Sequence, residues 1–456
     1  MPNDRPPAGR LLLFGFQHIL TMFPATVFGC LLCGFHVSTV LLAAGTSTIV
    51  ALLLSRRAVG TFIPLFYGSS FSYIAAYQSL AQAMGHRVQF GVPLPDEVIA
   101  VLQTGIIATG VLNVVVGLLV HAAGKRALDR VLPPIVTGSV ACVIGFGLSK
   151  SALEMSLTTV PGYWAIALFT LLATVGFSHL LRGRGLLGML PVLLGAVSGY
   201  LLTWLVAPSQ IVWATVRQTP FLVAPHLTWP ALTGPMLTTA IFSIAVMAIA
   251  TIPESTAHLY QISLYADRLA EDQQRAAPGL DRFVGMNLVF DGIGDMLHGL
   301  FGAMAGTNYG ENNSLMAITR NYSGPVLLAA GAMAIGLAFL GKLAALAATV
   351  PVFVSGGLAL YLFGAIGMQG IALLVERRVD LFDPLQLAVG ATIMVIGLGG
   401  NIGFEGGLLP VPVPGLFPSG LPAIATAAVV GIAMHLLFTA MRPTASAPSG
   451  GDGGRT

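Results

Sequence analysis

The stretch "GTNYGENNSLMAITR", residues 306–320, sets Glu311, Asn312 and Asn313 side by side just after a Tyr-Gly, in a neighbourhood that is otherwise apolar. A second stretch, "LFYGSSFSYIAA" at 65–76, carries the same Tyr-Gly, followed again by small polar residues and a hydrophobic run. The chain around them is 55% hydrophobic and 9% charged, with a mean hydropathy of +0.85. A soluble domain carries about 25% charged residues, so this composition could not cover a water-facing surface. Many apolar runs approach the roughly 20 residues that cross a hydrocarbon core as helix. The 55 glycines suit helices that approach closely in lipid. The reading is an all-α polytopic membrane protein whose surroundings are the lipid bilayer. The net charge of +3, without a basic cluster, gives no sign of a nucleic-acid partner.

The apolar runs predict spans at 11–33, 36–54, 61–84, 98–122, 131–152, 160–180, 186–206, 236–262, 283–304, 308–319, 323–341, 343–373, 384–400 and 420–441, about fourteen in all. Putting the N-terminus in the cytoplasm leaves only Arg87, Lys150, Arg217 and Lys342 outside among the 21 Lys and Arg, the asymmetry that the positive-inside rule predicts. Both termini are then cytoplasmic, in a multi-pass protein of the plasma membrane of bacterial inner-membrane type. The main extramembrane parts are 207–234 outside, 263–282 inside and 401–418 outside, and the tail "SAPSGGDGGRT" reads as disordered. None is long enough to fold as a catalytic domain. Neither H-E-x-x-H nor G-x-S-x-G occurs, and Asp291-x-x-x-Asp295 lacks the second Asp-rich cluster of a prenyltransferase. Cys30 and Cys33, in a lone CxxC, and Cys142 read as packing residues. No enzyme, metal or cofactor is expected.

Further echoes join the two Tyr-Gly stretches. "LPPIVTGS" at 132–139 matches "VPVFVSGG" at 350–357, and "TMFPAT" at 21–26 matches "ATIPEST" at 250–256. They recur in the same order, pairing Pro24 with Pro253, Tyr67 with Tyr309 and Pro133 with Pro351. The expectation is two related halves of about seven spans, the second inverted because an odd number precedes it. Inverted repeats with interrupted segments mark secondary transporters, with substrate near the midplane. Each Tyr-Gly stretch reads as a short extended piece, a Gly and a helix too short to span alone. Their helix starts supply N–H donors and positive partial charge at one place.

Four acidic residues lie well inside spans: Glu254, Asp291, Asp295 and Glu311. Such residues are costly in lipid and usually functional. Glu254 shares a helical face with His258 at i+4, a pair suited to sharing a proton. Asp291 and Asp295 repeat that spacing. Gln17-His18 adds polar groups to the first span.

"YGENNSLMAITR" at 309–320 resembles the signature of the nucleobase–ascorbate transporters, [Gln/Glu/Pro]-Asn-x-Gly-x-x-x-x-Thr-[Arg/Lys/Gly]; Glu311, Asn312, Thr319 and Arg320 fit it, and Ser314 stands where the family has Gly. "QH" at 17–18, "YGSSFSYI" at 67–74, "LPPIVTGS" at 132–139, "PESTAH" at 253–258 and "DGIGDM" at 291–296 resemble the family as well. The resemblance implies a core domain (11–128 and 235–342, segments one to four and eight to eleven) and a gate domain (129–208 and 343–441). Around them lie a cytoplasmic tail at 1–10, an external loop at 209–234 and the tail at 442–456. It implies a proton-coupled symporter of uracil or a related base, working by alternating access, with the family's xanthine and urate permeases as the alternative and an anion transporter of a related fold behind them. It further implies a homodimer through the gate domains. Glu254 and Glu311 would hold the base, with Phe71, Ser70, Tyr309, Gly310 and Phe363 around it. His258, Asp291, Asn312, Gln17 and His18 would join Glu254 in a network tied to proton coupling. The resemblance points to uracil through Glu311, since xanthine and urate members tend to have Gln there. Asn313 and Phe363, the latter where a uracil-transporting bacterial member has Tyr, leave the purines open.

Overall fold

The computed structural model describes residues 1–124, 132–157, 162–234, 236–414, 417 and 420–441. The tail at 442–456, the 128/129 boundary, and Lys125, Arg126, Arg130, Arg442 and Arg455 of the charge asymmetry lie outside the described residues.

The first half begins with α1 (Ala8–Cys33) and α2 (Val37–Ala58), joined by a turn at Gly34, whose φ of 70° suits a residue without Cβ. The chain then runs extended into β1 (Tyr67–Ser69), turns once as a 3-10 helix over Phe71–Tyr73 and continues as α3 (Ile74–Ala83). There follow α4 (Asp96–Ala123), α5 (Pro134–Gly147), α6 (Ser149–Ser156), α7 (Tyr163–Leu180) and α8 (Pro191–Val206). A crossing segment with the short α9 (Trp213–Gln218) leads to α10 (Leu237–Ala245), α11 (Ala248–Asp272) and α12 (Val284–Phe301). Next come β2 (Gly306–Asn308), α13 (Gly310–Thr319), α14 (Gly324–Ala338), α15 (Gly341–Ala348) and α16 (Val352–Glu376). The chain ends through α17 (Pro384–Met394), α18 (Gly400–Gly403), the two-residue strands β3 (Leu408–Leu409) and β4 (Leu421–Pro422), and α19 (Ala423–Met441). Among the described residues, nine helical stretches are long and apolar enough to cross a membrane, with α8 and α14 shorter but apolar.

Several boundaries differ from the sequence reading. The helix expected to end at 262 runs on to Asp272, because "SLYADRLAED" contains neither Gly nor Pro and favours helix beyond the apolar stretch. The expected 343–373 span divides into α15 and α16 at Pro351, which ends one helix and sits at the N-cap of the next. The 131–152 span divides into α5 and α6, and the 384–400 span passes through a π turn at Val395–Gly399.

Glycines set how closely the long helices pack. A Cβ on Gly110 of α4 would lie 2.5 Å from the carbonyl of Gly292 on α12, and a Cβ on Gly292 would lie 2.4 Å from the carbonyl of Gly110. Only hydrogen at both positions allows that crossing, the small-residue packing expected where lipid offers helices no hydrophobic drive to associate.

The two interrupted segments meet. β1 and β2 pair antiparallel in the register Tyr67↔Asn308, Gly68↔Thr307 and Ser69↔Gly306. This pairing satisfies backbone groups that could not remain open among lipid tails. It also corrects one expectation: the two Tyr-Gly dipeptides are not in equivalent places. Tyr67-Gly68 lies inside its strand, whereas Tyr309-Gly310 follows its strand and opens α13. The dipeptides serve different steric needs. A Cβ on Gly68 would meet the Tyr309 ring at 2.5 Å, and one on Gly310 would meet His258 Nε2 at 2.9 Å.

Candidate functional site

Two helix starts face away from the strand pair. Each following helix, α3 and α13, has 10 residues, about 15 Å of rise and so about half a hydrocarbon core. On the first side the Ser70 amide donates to the Ala305 carbonyl at 2.9 Å, and Ser70 Oγ accepts from the Ser72 amide at 3.4 Å. On the second side the Tyr309 amide donates to the Phe66 carbonyl at 2.9 Å. Tyr309 is the N-cap of α13, and no side chain caps that helix. Its first N–H groups therefore keep their donor capacity for another acceptor.

Glu311 stands in the first turn of α13 and is exposed, while Asn312 and Asn313 beside it are buried. Glu254, half-buried on α11, feels the charges of Glu311 and Asp291 and faces the Thr307 side chain of β2. It follows Pro253, which has no N–H for the carbonyl four residues back. One turn further on, His258 packs its ring over Gly310 and reaches the backbone of Asn308. The structure thus gathers Glu254, His258, Tyr309, Gly310 and Glu311 around one helix start. Phe71, half-buried in the 3-10 turn, stands with its ring centroid 6.3 Å from that of Phe28 on α1. The Tyr309 hydroxyl donates to the Ser69 carbonyl at 3.0 Å and lies 2.9 Å from Thr26 Oγ1, tying the second segment to the first and to α1.

The buried asparagines hold the start of α13 in place. Asn312 Nδ2 lies 3.0 Å from His18 Nδ1 and donates to the His18 carbonyl at 3.2 Å. Asn313 Nδ2 donates to the His258 carbonyl at 3.3 Å and to Gln261 Oε1 at 3.4 Å. Of the Gln17-His18 pair, buried His18 makes the direct contact; Gln17 is half-buried, and its backbone carbonyl accepts from Thr21. Asp291 anchors β2 from α12: its Oδ2 accepts from Ser255 Oγ and, at 3.3 Å, from Asn308 Nδ2. Ser255 Oγ also accepts from Asn308 at 2.6 Å and from Asn287 at 2.8 Å, which fills the one donor and two acceptor places of a hydroxyl.

These positions can be set beside known proteins. Residues 9–406 match a family described as the permease family. The uracil permease of Bacillus caldolyticus is 32% identical over 452 residues, covering 97% of this chain and 95% of its own. The uracil permease of Escherichia coli (strain K12) is 33% identical over 449 residues, covering 96% of this chain and 93% of its own. The chain belongs to the permease family. Permeases are transporters rather than enzymes, and the apolar helices make this one a multi-pass membrane protein. Among solved structures, the transmembrane domain of a cyanobacterial bicarbonate transporter, BicA, has the same fold: TM-score 0.59 at 17% identity, covering 88% of this permease and 98% of that chain.

Two further side chains complete the permease's polar layer. Asp295 Oδ1 accepts from the Gly306 amide at 2.8 Å, and its Oδ2 accepts from Asn113 on α4 at 2.9 Å. His298 places Nδ1 2.6 Å from the Met304 carbonyl and Nε2 3.1 Å from Ser47 on α2. The sequence reading noticed Asp295 without assigning it to the site, and it missed His298. The usable signal was the spacing 291, 295, 298, one polar stripe along a single face of α12. Phe363, named from the resemblance, is buried on α16, whose backbone there approaches Gly145 of α5. Cys30, Cys33 and Cys142 are buried thiols, and Cys30 Sγ lies 3.2 Å from the Phe35 carbonyl.

Proposed function

We propose that this permease imports uracil or a related nucleobase together with protons, by alternating access. The observation that carries the reading is the start of α13, which has no side-chain cap, bears Glu311 in its first turn, and has Gly310 packed against the ring of His258, one turn along α11 from Glu254. A neutral pyrimidine shows ring N–H donors and carbonyl acceptors along one edge. Carboxylates accept from the former, and helix-start N–H groups donate to the latter. In this reading Phe71 and Ser70 would line the approach from the first segment, Tyr309 and Gly310 from the second, and Phe363 would face it from the gate side. The two uracil permeases, similar over nearly their whole length, support the choice of base. The shared fold with a bicarbonate transporter leaves an anion conceivable on fold alone, but two neighbouring carboxylates would repel one. Proton coupling then belongs to Glu254 and His258 on one face of α11, with Asp291, Asn312, His18 and Gln17 as the network behind them.

The same proposal includes about fourteen segments in two inverted halves. Supporting it, α2 and α14 cross on glycines as α4 and α12 do: a Cβ on Gly45 would lie 2.5 Å from the Gly331 carbonyl. With α2 and α12 counted as second and ninth segments, and α4 and α14 as fourth and eleventh, the two-fold axis of inverted halves would exchange these crossings. Pro24 and Pro253 lie inside helices, and Pro133 and Pro351 cap helix starts, at matched places. The core (11–128 and 235–342) would move against the gate (129–208 and 343–441), in a homodimer joined through the gates. The protein would sit in a bacterial inner membrane with both termini cytoplasmic.

Uptake into vesicles against a panel of competitors tests the reading: uracil, thymine, xanthine, urate, ascorbate, chloride and bicarbonate, at two pH values. Uracil should compete best, and an acidic outer solution should speed uptake. Competition by xanthine or urate alone would move the substrate to the purines. Competition by the anions, with none by any base, would overturn the site chemistry.

A further inference from the structure

At the turn between α1 and α2, three metal-ligating side chains from distant parts of the chain converge. His36 closes the turn between α1 and α2, Asp96 is the first residue of α4, and His226 belongs to the 207–234 crossing segment. One ligand atom from each lies within 4.8 Å of the others. The rings of His36 and His226 have centroids 4.3 Å apart at 39°. His226 Nε2 lies 2.9 Å from Asp96 Oδ1 and 3.1 Å from Oδ2. Two ligands of a tetrahedral zinc, each at about 2.0–2.2 Å from the metal, stand about 3.3 Å apart. A small adjustment of these side chains would therefore admit an ion.

We propose that His36, Asp96 and His226 form a binding site for a zinc-like divalent transition-metal ion, which fastens the crossing segment to α2 and α4. The donor set, two imidazoles and one carboxylate, is the borderline type that zinc and its neighbours take, and three protein ligands leave a fourth place for water. The backbone beneath each ligand is already held. Thr39 Oγ1 donates to the His226 carbonyl. Two residues on, Thr228 Oγ1 donates to Gln103 Oε1 at 2.8 Å, and Gln103 Nε2 donates to the Thr228 carbonyl at 2.9 Å. Leu94 donates its amide to the Gly34 carbonyl at 2.7 Å, joining the approach to α4 to the turn that carries His36. Ligands on fixed elements need little reorganisation to bind. The side chains of Asp96 and His226 are 62% and 46% exposed, so a hydrated ion can reach them. The crossing segment joins α8 to α10, so the ion would tether this connection to α2 and α4.

Chelator-treated full-length protein in detergent, titrated with Co²⁺ and followed by visible absorption, tests this directly. The expected result is one equivalent of cobalt with the intense bands of a four- or five-coordinate site, bleached by Zn²⁺. The double variant His36→Gln, His226→Gln should bind at least about tenfold more weakly, with an unchanged gel-filtration profile and nucleobase uptake retained. Weak six-coordinate bands in the wild type, or the same titration in the variant, would overturn the proposal. Should the double variant misfold, the wild-type spectrum and the single variant Asp96→Asn decide in the same way.

Discussion

The start of α3 and the start of α13 emerge from the same antiparallel strand pair, yet they are finished differently. Ser70 caps the 3-10 turn that leads into α3, to which Phe71 brings an aromatic ring, while α3 itself starts at Tyr73 without a side-chain cap. No side chain caps the second; it carries Glu311 in the open and buries Asn312 and Asn313 against α1 and α11. One backbone arrangement thus provides an apolar, self-satisfied side and an acidic side with donors to spare. The two sides therefore differ in the turn that precedes each helix and in the charge that its first residues carry.

Six substitutions, in three pairs, can break or sharpen this contrast. The largest effect is expected at the acids. Glu311→Gln and Glu254→Ala should each lower uptake of labelled base by roughly 10- to 150-fold while the protein still reaches the membrane, the loss of one charged hydrogen bond at about 1.5–3 kcal/mol. Full uptake by both would remove the acidic side from the site. A middle effect is expected where the halves touch. Gly68→Ala drives a Cβ to 2.5 Å from the Tyr309 ring, whose hydroxyl is held by Ser69, so uptake should fall about tenfold and thermal stability with it, whereas Gly310→Ala meets His258 Nε2 at 2.9 Å and should do less. The smallest effects are at the supports. Ser70→Ala removes a cap worth about 1 kcal/mol and should lower the melting temperature slightly with uptake intact. Asn312→Ala should lower both, because His18 loses its partner at the functional end. Equal behaviour of the two variants would mean that the two helix starts do not differ in role.

Much of the site was legible because its signals are local. An acid in an apolar run stands out without any knowledge of the fold, which is how Glu254, Asp291 and Glu311 came forward. The i, i+4 spacing brought His258 with Glu254. Asp295 lies as deep in its apolar run as Asp291, but no local spacing names its partner, and only its contact with the Gly306 amide assigns it to the strand pair. The Tyr-Gly echo misled for a related reason. Identical dipeptides can relieve different clashes, and Gly68 and Gly310 face different neighbours.

Composition alone decided that the chain lives in lipid, since hydrocarbon accepts apolar side chains and water does not; local pattern decided which segments could not run as whole helices. The register of Tyr67 on Asn308, the grip of Asn312 on His18 across 294 positions, and the meeting of His36, Asp96 and His226 belong to the folded molecule. Such contacts depend on how helices pack in three dimensions. Side-chain identity along a strip of sequence specifies its own turn and face, but the partner across the bundle is chosen only when the whole chain closes around it.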